Sequence, residues 1–224
     1  MSCNICNDTG FYLKTTNKED MSAICTKCDS HHQKNLIYLY RQINLPETYT
    51  KYSLEDYPLK EQNKENMEKI TKYVNNFNSY RKDGMGLYIY SNTPSYKDSL
   101  VVMIVKEIIN KYKVSNIYYN TMANVISEVF NGWNFAKDKD IFVITNCFDM
   151  AKIPLTTNSR QLAIPAVYQF FNNILDSNKT LIMTSTYSLD EIGNYGYIDF
   201  KDLLQLKLFP LKIEGTKQQK PREL

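Results

Sequence analysis

Four of the five cysteines in this 224-residue chain lie within its first 28 residues. They form two Cys-x2-Cys pairs separated by 18 residues, at Cys3, Cys6, Cys25 and Cys28. Two thiolates on a tight turn can reach one metal ion, and two such turns complete the tetrahedral set that Zn²⁺ prefers. We therefore predict one structural zinc ion held by these cysteines. Disulfides are the alternative, but they need an oxidising compartment, and the N-terminus carries no secretory signal.

The residues around the cysteine pairs favour a protein partner for this module. His31 and His32 could each replace a cysteine as ligand, but four well-spaced cysteines make this unnecessary, and we interpret them as solvated residues opening the next helix. Residues 1–36 contain four lysines and four acidic residues, so the basic face typical of a DNA-reading zinc finger is missing. The fifth cysteine, Cys147, stands in an apolar run and is predicted to be a small core residue.

The composition is that of a globular protein. Hydrophobic residues make up 43% and charged residues 23% of the chain. The longest apolar runs fall well short of the roughly 20 residues that a membrane span needs, so we expect a soluble, intracellular protein. The net charge of +3 permits a nucleic-acid partner but does not by itself indicate one.

The elements after the cysteines predict an α/β domain. A short helical stripe over residues 33–43 ends before Pro46, and we interpret residues 37–60 as a linker between the module (1–36) and the larger domain (61–224). In that domain, short runs rich in β-forming residues alternate with helical stretches, which predicts a parallel sheet covered on both faces. Such sheets bind ligands at the carboxyl ends of their strands. The predicted strands are Leu87–Tyr90, Asn116–Tyr119, Ile141–Thr145, Thr180–Thr184 and Leu211–Ile213; the predicted helices are Leu100–Tyr112, Met122–Phe130 and Pro165–Leu175, the last with Pro165 in its first turn.

Several segments in sequence order resemble one family. GLYIYSNTPSYKDSLVVMIVKEII is similar to the P-loop segment of the DnaC/DnaI helicase loaders, and INLPETYTKYSLEDY resembles the lead-in to it. CNICNDTGFY with its second cysteine pair is similar to zinc-bearing loaders, many of them encoded by phages. DIFVITNCFDM stands at the Walker B place, KTLIMTSTYSLDEI at the sensor strand, and PLKIEG near the C-terminus. The resemblance implies an AAA+ P-loop-type core preceded by a four-cysteine zinc module.

The resemblance also places the nucleotide-binding positions, beginning with the P-loop. Aligning Lys97 with the P-loop lysine puts Ser91 and Tyr96 where the two glycines belong, and Asp98 where a hydroxyl would hold Mg²⁺. Ser99 offers a hydroxyl one residue later. Tyr96 is expected not to adopt easily the backbone that glycine permits. Lys97 by itself is more simply interpreted as a solvated lysine at a helix N-terminus.

The remaining motifs depart from the family pattern as well. Thr145 and Asn146 stand where the Walker B acids belong, and Thr186 replaces the usual sensor asparagine. The arginine that family members present to a neighbour's nucleotide is missing, with Lys201 as the nearest substitute, and Arg222 lies beyond the sensor-two position. Losing these groups together predicts a protein that hydrolyses no ATP, and we expect ATP and Mg²⁺ not to be its cofactors.

The resemblance implies a replication accessory protein, encoded by a phage or mobile element, that binds a DnaB-type hexameric helicase through its zinc module. The rest of the chain would serve in self-association or partner docking. An inhibitor of the host helicase, or of the host loader, requires the same interface and remains an alternative. Two further alternatives are a weak ATPase using Lys97, Ser99 and Asp149, and a single-stranded DNA-binding protein using the Lys- and Tyr-rich segment 111–119.

Overall fold

The computed structural model describes residues 11–16, 19–24, 29–58, 61–93, 95–131, 138–148, 157–194 and 198–215. The four predicted zinc ligands lie outside the described residues. Between the two cysteine pairs, strands β1 (Phe11–Thr16) and β2 (Glu19–Ile24) form an antiparallel hairpin. Helix α1 (Asp29–Gln42) follows, so it begins four residues before the predicted helical stripe.

The rest of the described chain alternates between helices and strands. Their bounds are α2 (Glu47–Thr50), α3 (Lys64–Asn75), α4 (Phe77–Lys82), β3 (Gly86–Tyr90), α5 (Lys97–Tyr112), β4 (Ile117–Thr121), α6 (Met122–Phe130), β5 (Ile141–Cys147), α7 (Thr157–Asp176), β6 (Thr180–Ser185), α8 (Leu189–Asn194), α9 (Ile198–Gln205) and β7 (Leu208–Lys212). Short 3-10 turns cover Leu54–Asp56 and Glu61–Asn63.

The predicted parallel sheet is confirmed. Among the described residues five strands pair in the order β4-β5-β6-β3-β7, and each neighbouring pair runs parallel. Non-consecutive strands lie side by side because helices cross between them, as a parallel sheet requires. Four predicted strands agree with the observed ones within two residues. The fifth, predicted at Leu211–Ile213, begins three residues earlier, at Leu208.

Both faces of the sheet are buried, and alternate side chains of each strand serve opposite faces. On one face Leu87 and Ile89 join a core with α1, α3 and α5. On the other, Tyr88 joins a core with α6, α7 and α9. Cys147, predicted to be a small core residue, is fully buried in this second core.

Residues 36–57, here named the covering segment, pack along the outer side of α5. Tyr40 Oη donates to Asn110 Oδ1 near the carboxyl end of that helix (3.3 Å). In the middle, the buried Lys106 ammonium donates to the Tyr52 carbonyl oxygen. Burial lowers the pKa of Lys106, against the opposing effect of nearby carboxylates. Part of the segment predicted as a linker therefore belongs to the same apolar core as the sheet.

Helix α7 differs from its prediction. It begins at Thr157, so Pro165 lies inside the helix and the placement in the first turn was wrong. Proline removes one helical N–H, but Phe170, Phe171 and Ile174 further along α7 are almost completely buried against the sheet. This packing holds the helix through the proline. Within the described residues, no helix combines the length and apolar character needed to cross a membrane.

Candidate functional site

The residues predicted from the P-loop, Walker B and sensor motifs meet at one edge of the sheet. Ser91 follows β3, Thr145 and Asn146 lie near the end of β5, and Thr186 follows β6. The strands are parallel, so their carboxyl ends share this edge. Helix α5, which begins at Lys97, points its N-terminus at the same place. The structure thus brings the predicted positions together.

The loop between β3 and α5 is held by contacts within the chain. The Ser91 N–H donates to the Ser185 carbonyl oxygen (3.1 Å), and Ser91 Oγ donates to the Thr93 carbonyl oxygen (2.8 Å). From outside the loop, Gly215 N–H donates to Thr93 Oγ1 (3.0 Å). The buried hydroxyl of Tyr57 donates to the Ser95 carbonyl oxygen (2.5 Å). Three separate parts of the chain therefore fix this loop.

Tyr96 adopts a left-handed backbone of the kind that glycine adopts easily and tyrosine does not. Its φ is 51° and its ψ is 26°, and it forms the N-cap of α5. A left-handed L-residue costs roughly 1–2 kcal/mol. The Tyr96 ring packs against the core that contains α5, and this packing offsets the cost. Tyrosine was expected to take up this geometry only with difficulty, and it does so here because its ring packs against the core.

Asp98 makes the central contact of the site. Thr184, on β6 and fully buried, donates from Oγ1 to Asp98 Oδ1 (2.5 Å). The Asn146 N–H in turn donates to Thr184 Oγ1 (2.9 Å). One hydroxyl therefore joins the first turn of α5 to β5 and β6. This carboxylate belongs to the residue that the sequence resemblance aligns with the Mg²⁺-binding hydroxyl of a P-loop.

The end of β5 is irregular at the predicted Walker B position. The pairing of β5 with β6 shifts between Ile144 and Cys147, and Asn146 has a φ of 57°. Such an irregularity re-aims side chains: Thr145 is buried, whereas Asn146 is exposed. Thr145 interacts with the phenol of Tyr119 on β4, whose pKa is raised by burial and further by the charge of Asp98.

The other predicted site residues are less engaged with one another. Lys97 and Thr186 are half-buried beside the same edge. Ser99, the alternative hydroxyl, is 2% exposed within α5. Lys201, the nearest substitute for an arginine presented to a neighbour, forms an ion pair with Asp190 (2.6 Å) on its own chain. Asp149 and Arg222 lie outside the described residues.

Sequence reasoning missed three residues that organise this edge. Thr184 belongs to the predicted sensor strand, but only Thr186 was singled out there, and the hydrogen bond from Thr184 to Asp98 was not foreseen. Tyr57 was not singled out in the sequence, and Tyr119 entered only as part of a predicted strand and of the Lys- and Tyr-rich segment 111–119. The available signal was positional: a polar residue at the carboxyl end of a buried parallel strand faces the ligand edge.

The arrangement resembles a P-loop in position but differs in chemistry. A P-loop presents glycine backbone to phosphates and a hydroxyl to Mg²⁺, opposite an acid on a neighbouring strand. Here the acid, Asp98, is on the helix and a hydroxyl, Thr145, is on the strand. The Asp98 carboxylate already accepts a hydrogen bond from Thr184. This edge is a meeting point of α5, β5 and β6 held by side chains of the protein itself.

No family model matches the sequence, and no curated protein sequence matches it. Solved structures do match in fold. A DnaC helicase loader is similar with a TM-score of 0.57 and 19% identity, over 75% of this chain and 99% of that chain. A candidate primosome component from Streptococcus pyogenes serotype M3 has a TM-score of 0.59 and 16% identity, over 79% and 93%. A DnaI structure has a TM-score of 0.57 and 14% identity, over 77% and 93%. The described α/β domain therefore has a DnaC-like AAA+ fold.

Proposed function

We propose that this protein is a helicase-loader-type accessory factor of DNA replication that binds a DnaB-type hexameric helicase and works without hydrolysing ATP. The observation that carries the proposal is the similarity of fold to a DnaC helicase loader over 99% of that chain. The candidate primosome component and the DnaI structure support the same class.

The chemistry at the sheet edge supports the second half of the proposal. Hydrolysis needs electrostatic stabilisation of the transferred phosphoryl group by a metal and its protein ligands. A carboxylate at Asp98 repels phosphate, and Thr145 offers no negative charge to hold Mg²⁺. Opening a helicase ring by binding alone is physically sufficient for one transition, because a ligand shifts an equilibrium by its differential affinity for two states.

We further propose that the zinc module and α1 form the helicase-contacting part. Two large apolar side chains of α1, Ile37 and Tyr38, are 50% and 56% exposed. They lie on the side of α1 opposite Leu39 and Tyr40, which are buried against the core. Aromatic and aliphatic side chains of this kind are typical anchors of protein interfaces.

The test is helicase assembly on circular single-stranded DNA with purified full-length protein and a DnaB-type hexamer. We expect the protein to increase the amount of helicase on DNA, and the pair Ile37→Ser and Tyr38→Ser to remove this effect. A decrease in helicase on DNA would instead establish the inhibitor. Absence of any complex with the helicase would refute the proposal.

A parallel assay tests independence from hydrolysis. Phosphate release by the protein alone should equal the blank, and Lys97→Ala should leave helicase assembly unchanged. ATP turnover that Lys97→Ala abolishes would establish the weak ATPase and refute this part of the proposal.

A further inference from the structure

The hydrogen-bond chain from Asn146 through Thr184 to Asp98 joins the ends of three elements, β5, β6 and α5. Asn146 contributes a backbone N–H from β5, Thr184 a buried hydroxyl from β6, and Asp98 a carboxylate from α5. Thr184 acts as acceptor for the first group and donor to the second. Because one hydroxyl can serve both roles, the chain is complete without a ligand.

The shape of β5 depends on this chain. Asn146 and Phe148 both have left-handed backbones, with φ of 57° and 63°, and the β5–β6 register shifts between Ile144 and Cys147, the interval that contains Asn146. Left-handed residues other than glycine persist where surrounding contacts hold them. The Thr184 hydroxyl holds the Asn146 N–H, while Ser185 Oγ donates to the Cys147 carbonyl oxygen (3.0 Å). The bulged end of β5 is thus fixed from β6.

Asp98 gives this contact an electrostatic part. It is the second residue of a 16-residue helix, where a negative side chain is favoured by the partial positive charge of the helix N-terminus. Burial raises the pKa of the Tyr119 phenol and of the Cys147 thiol, and the negative charge of Asp98 raises both further. The Asp98 carboxylate thereby supplies the negative charge that a bound anion supplies at the N-termini of other helices.

We propose that Asp98, Thr184 and Asn146 form an internal latch that holds the ligand edge of this domain in one conformation without nucleotide. In nucleotide-binding P-loop domains a metal–phosphate group links the helix to the neighbouring strands. Here the latch makes the same link permanently, and its negative charge keeps phosphate away. The proposal does not depend on the replicative role, since it concerns only the stability of this edge.

Hydrogen exchange at the Asn146 amide tests the latch in the full-length protein. Asp98→Ala and Thr184→Val should each accelerate this exchange about tenfold or more, corresponding to the loss of about 1.4 kcal/mol. Asp98→Asn keeps an acceptor oxygen at the same position and should stay within a few-fold of the unaltered protein. In a Thr184→Val background, Asp98→Ala should add little, because the chain is already broken.

The comparison with nucleotide completes the test. Millimolar ATP with Mg²⁺ should leave Asn146 exchange in the unaltered protein unchanged. Independent, additive effects of the two substitutions would overturn the latch, as would an Asp98→Asn variant as labile as Asp98→Ala. Strong protection of Asn146 by MgATP would overturn it as well, since the edge would then require a ligand. Exchange in β3 serves as the internal control for global unfolding.

Discussion

The hydroxyl of Tyr57 offers a sharp test of how the covering segment fixes the loop before α5. Its ring is 4% exposed, and its hydroxyl donates to the Ser95 carbonyl oxygen at 2.5 Å. Burial raises the pKa of Tyr57 well above its ordinary value, so the hydroxyl remains a donor across the usual pH range. Tyr57→Phe removes this donor and keeps the ring that fills the core.

The expected loss follows from the acceptor left behind. A buried carbonyl deprived of its partner costs about 1–3 kcal/mol. For a chain of 224 residues, each kcal/mol lowers the melting temperature by about 2–4 °C. We therefore expect Tyr57→Phe to lower the free energy of unfolding by about 2 kcal/mol and the melting temperature by about 4–8 °C. The amides of residues 95–98 should exchange faster as the loop loosens.

Urea and thermal unfolding followed by circular dichroism measure the loss, with Tyr52→Phe as the matched control. Tyr52 lies in the same segment and is 7% exposed, but its hydroxyl has no hydrogen-bond partner among the described residues. Tyr52→Phe should change stability by less than about 0.5 kcal/mol. Equal stabilities of the two variants would refute the idea that the Tyr57 hydroxyl fixes the loop.

Three further outcomes are expected. Burial raises the pKa of Tyr40 to about 12, above the ordinary 10.0. The unfolded chain therefore loses this proton first, and stability should fall between pH 10 and 12 by about 1.4 kcal/mol per pH unit for this group. Tyr40→Phe should make alkaline unfolding less steep by one proton; an unchanged slope would contradict the assignment. Lys113 ends α5 with φ at 55°, so Lys113→Gly should raise the melting temperature by about 2–4 °C, whereas a lower value would mean that its side-chain contacts dominate. Finally, metal analysis should find one zinc per chain, and Cys25→Ser with Cys28→Ser should abolish it; a metal-free protein with four free thiols would exclude the zinc site.

The strands and helices of the larger domain were predictable because their signals are local. The runs at Leu87–Tyr90 and Thr180–Thr184 are apolar, rich in β-forming residues and bounded by polar segments, and they became central strands. The predicted helix start at Pro165 was wrong because proline is only a local signal for a first turn. Burial of aromatic residues further along α7 stabilises a helix that begins earlier, at Thr157. Local rules account for the elements but not for the contacts between them.

The candidate site was predictable in place but not in its internal bonding. Parallel strands bring their carboxyl ends together whatever the side chains are, so Asp98 and Thr145 lie at the same edge of the sheet. The bond from Thr184 to Asp98 joins residues 86 positions apart. No local pattern in the sequence indicates this bond, nor the irregular end of β5 that the same Thr184 hydroxyl contacts. The left-handed backbone of Tyr96 likewise depends on what its ring packs against.

The covering segment has a practical consequence for expressing parts of this protein. A recombinant fragment starting at residue 61 would match the domain boundary suggested by the sequence. This fragment would also lack Leu39, Ile43 and Tyr52, which cover the apolar side of α5. All three are at most 7% exposed in the folded chain. Such a fragment would expose a continuous hydrophobic surface along a 16-residue helix, and we expect it to aggregate. A fragment meant to stay in solution has to begin before Leu36.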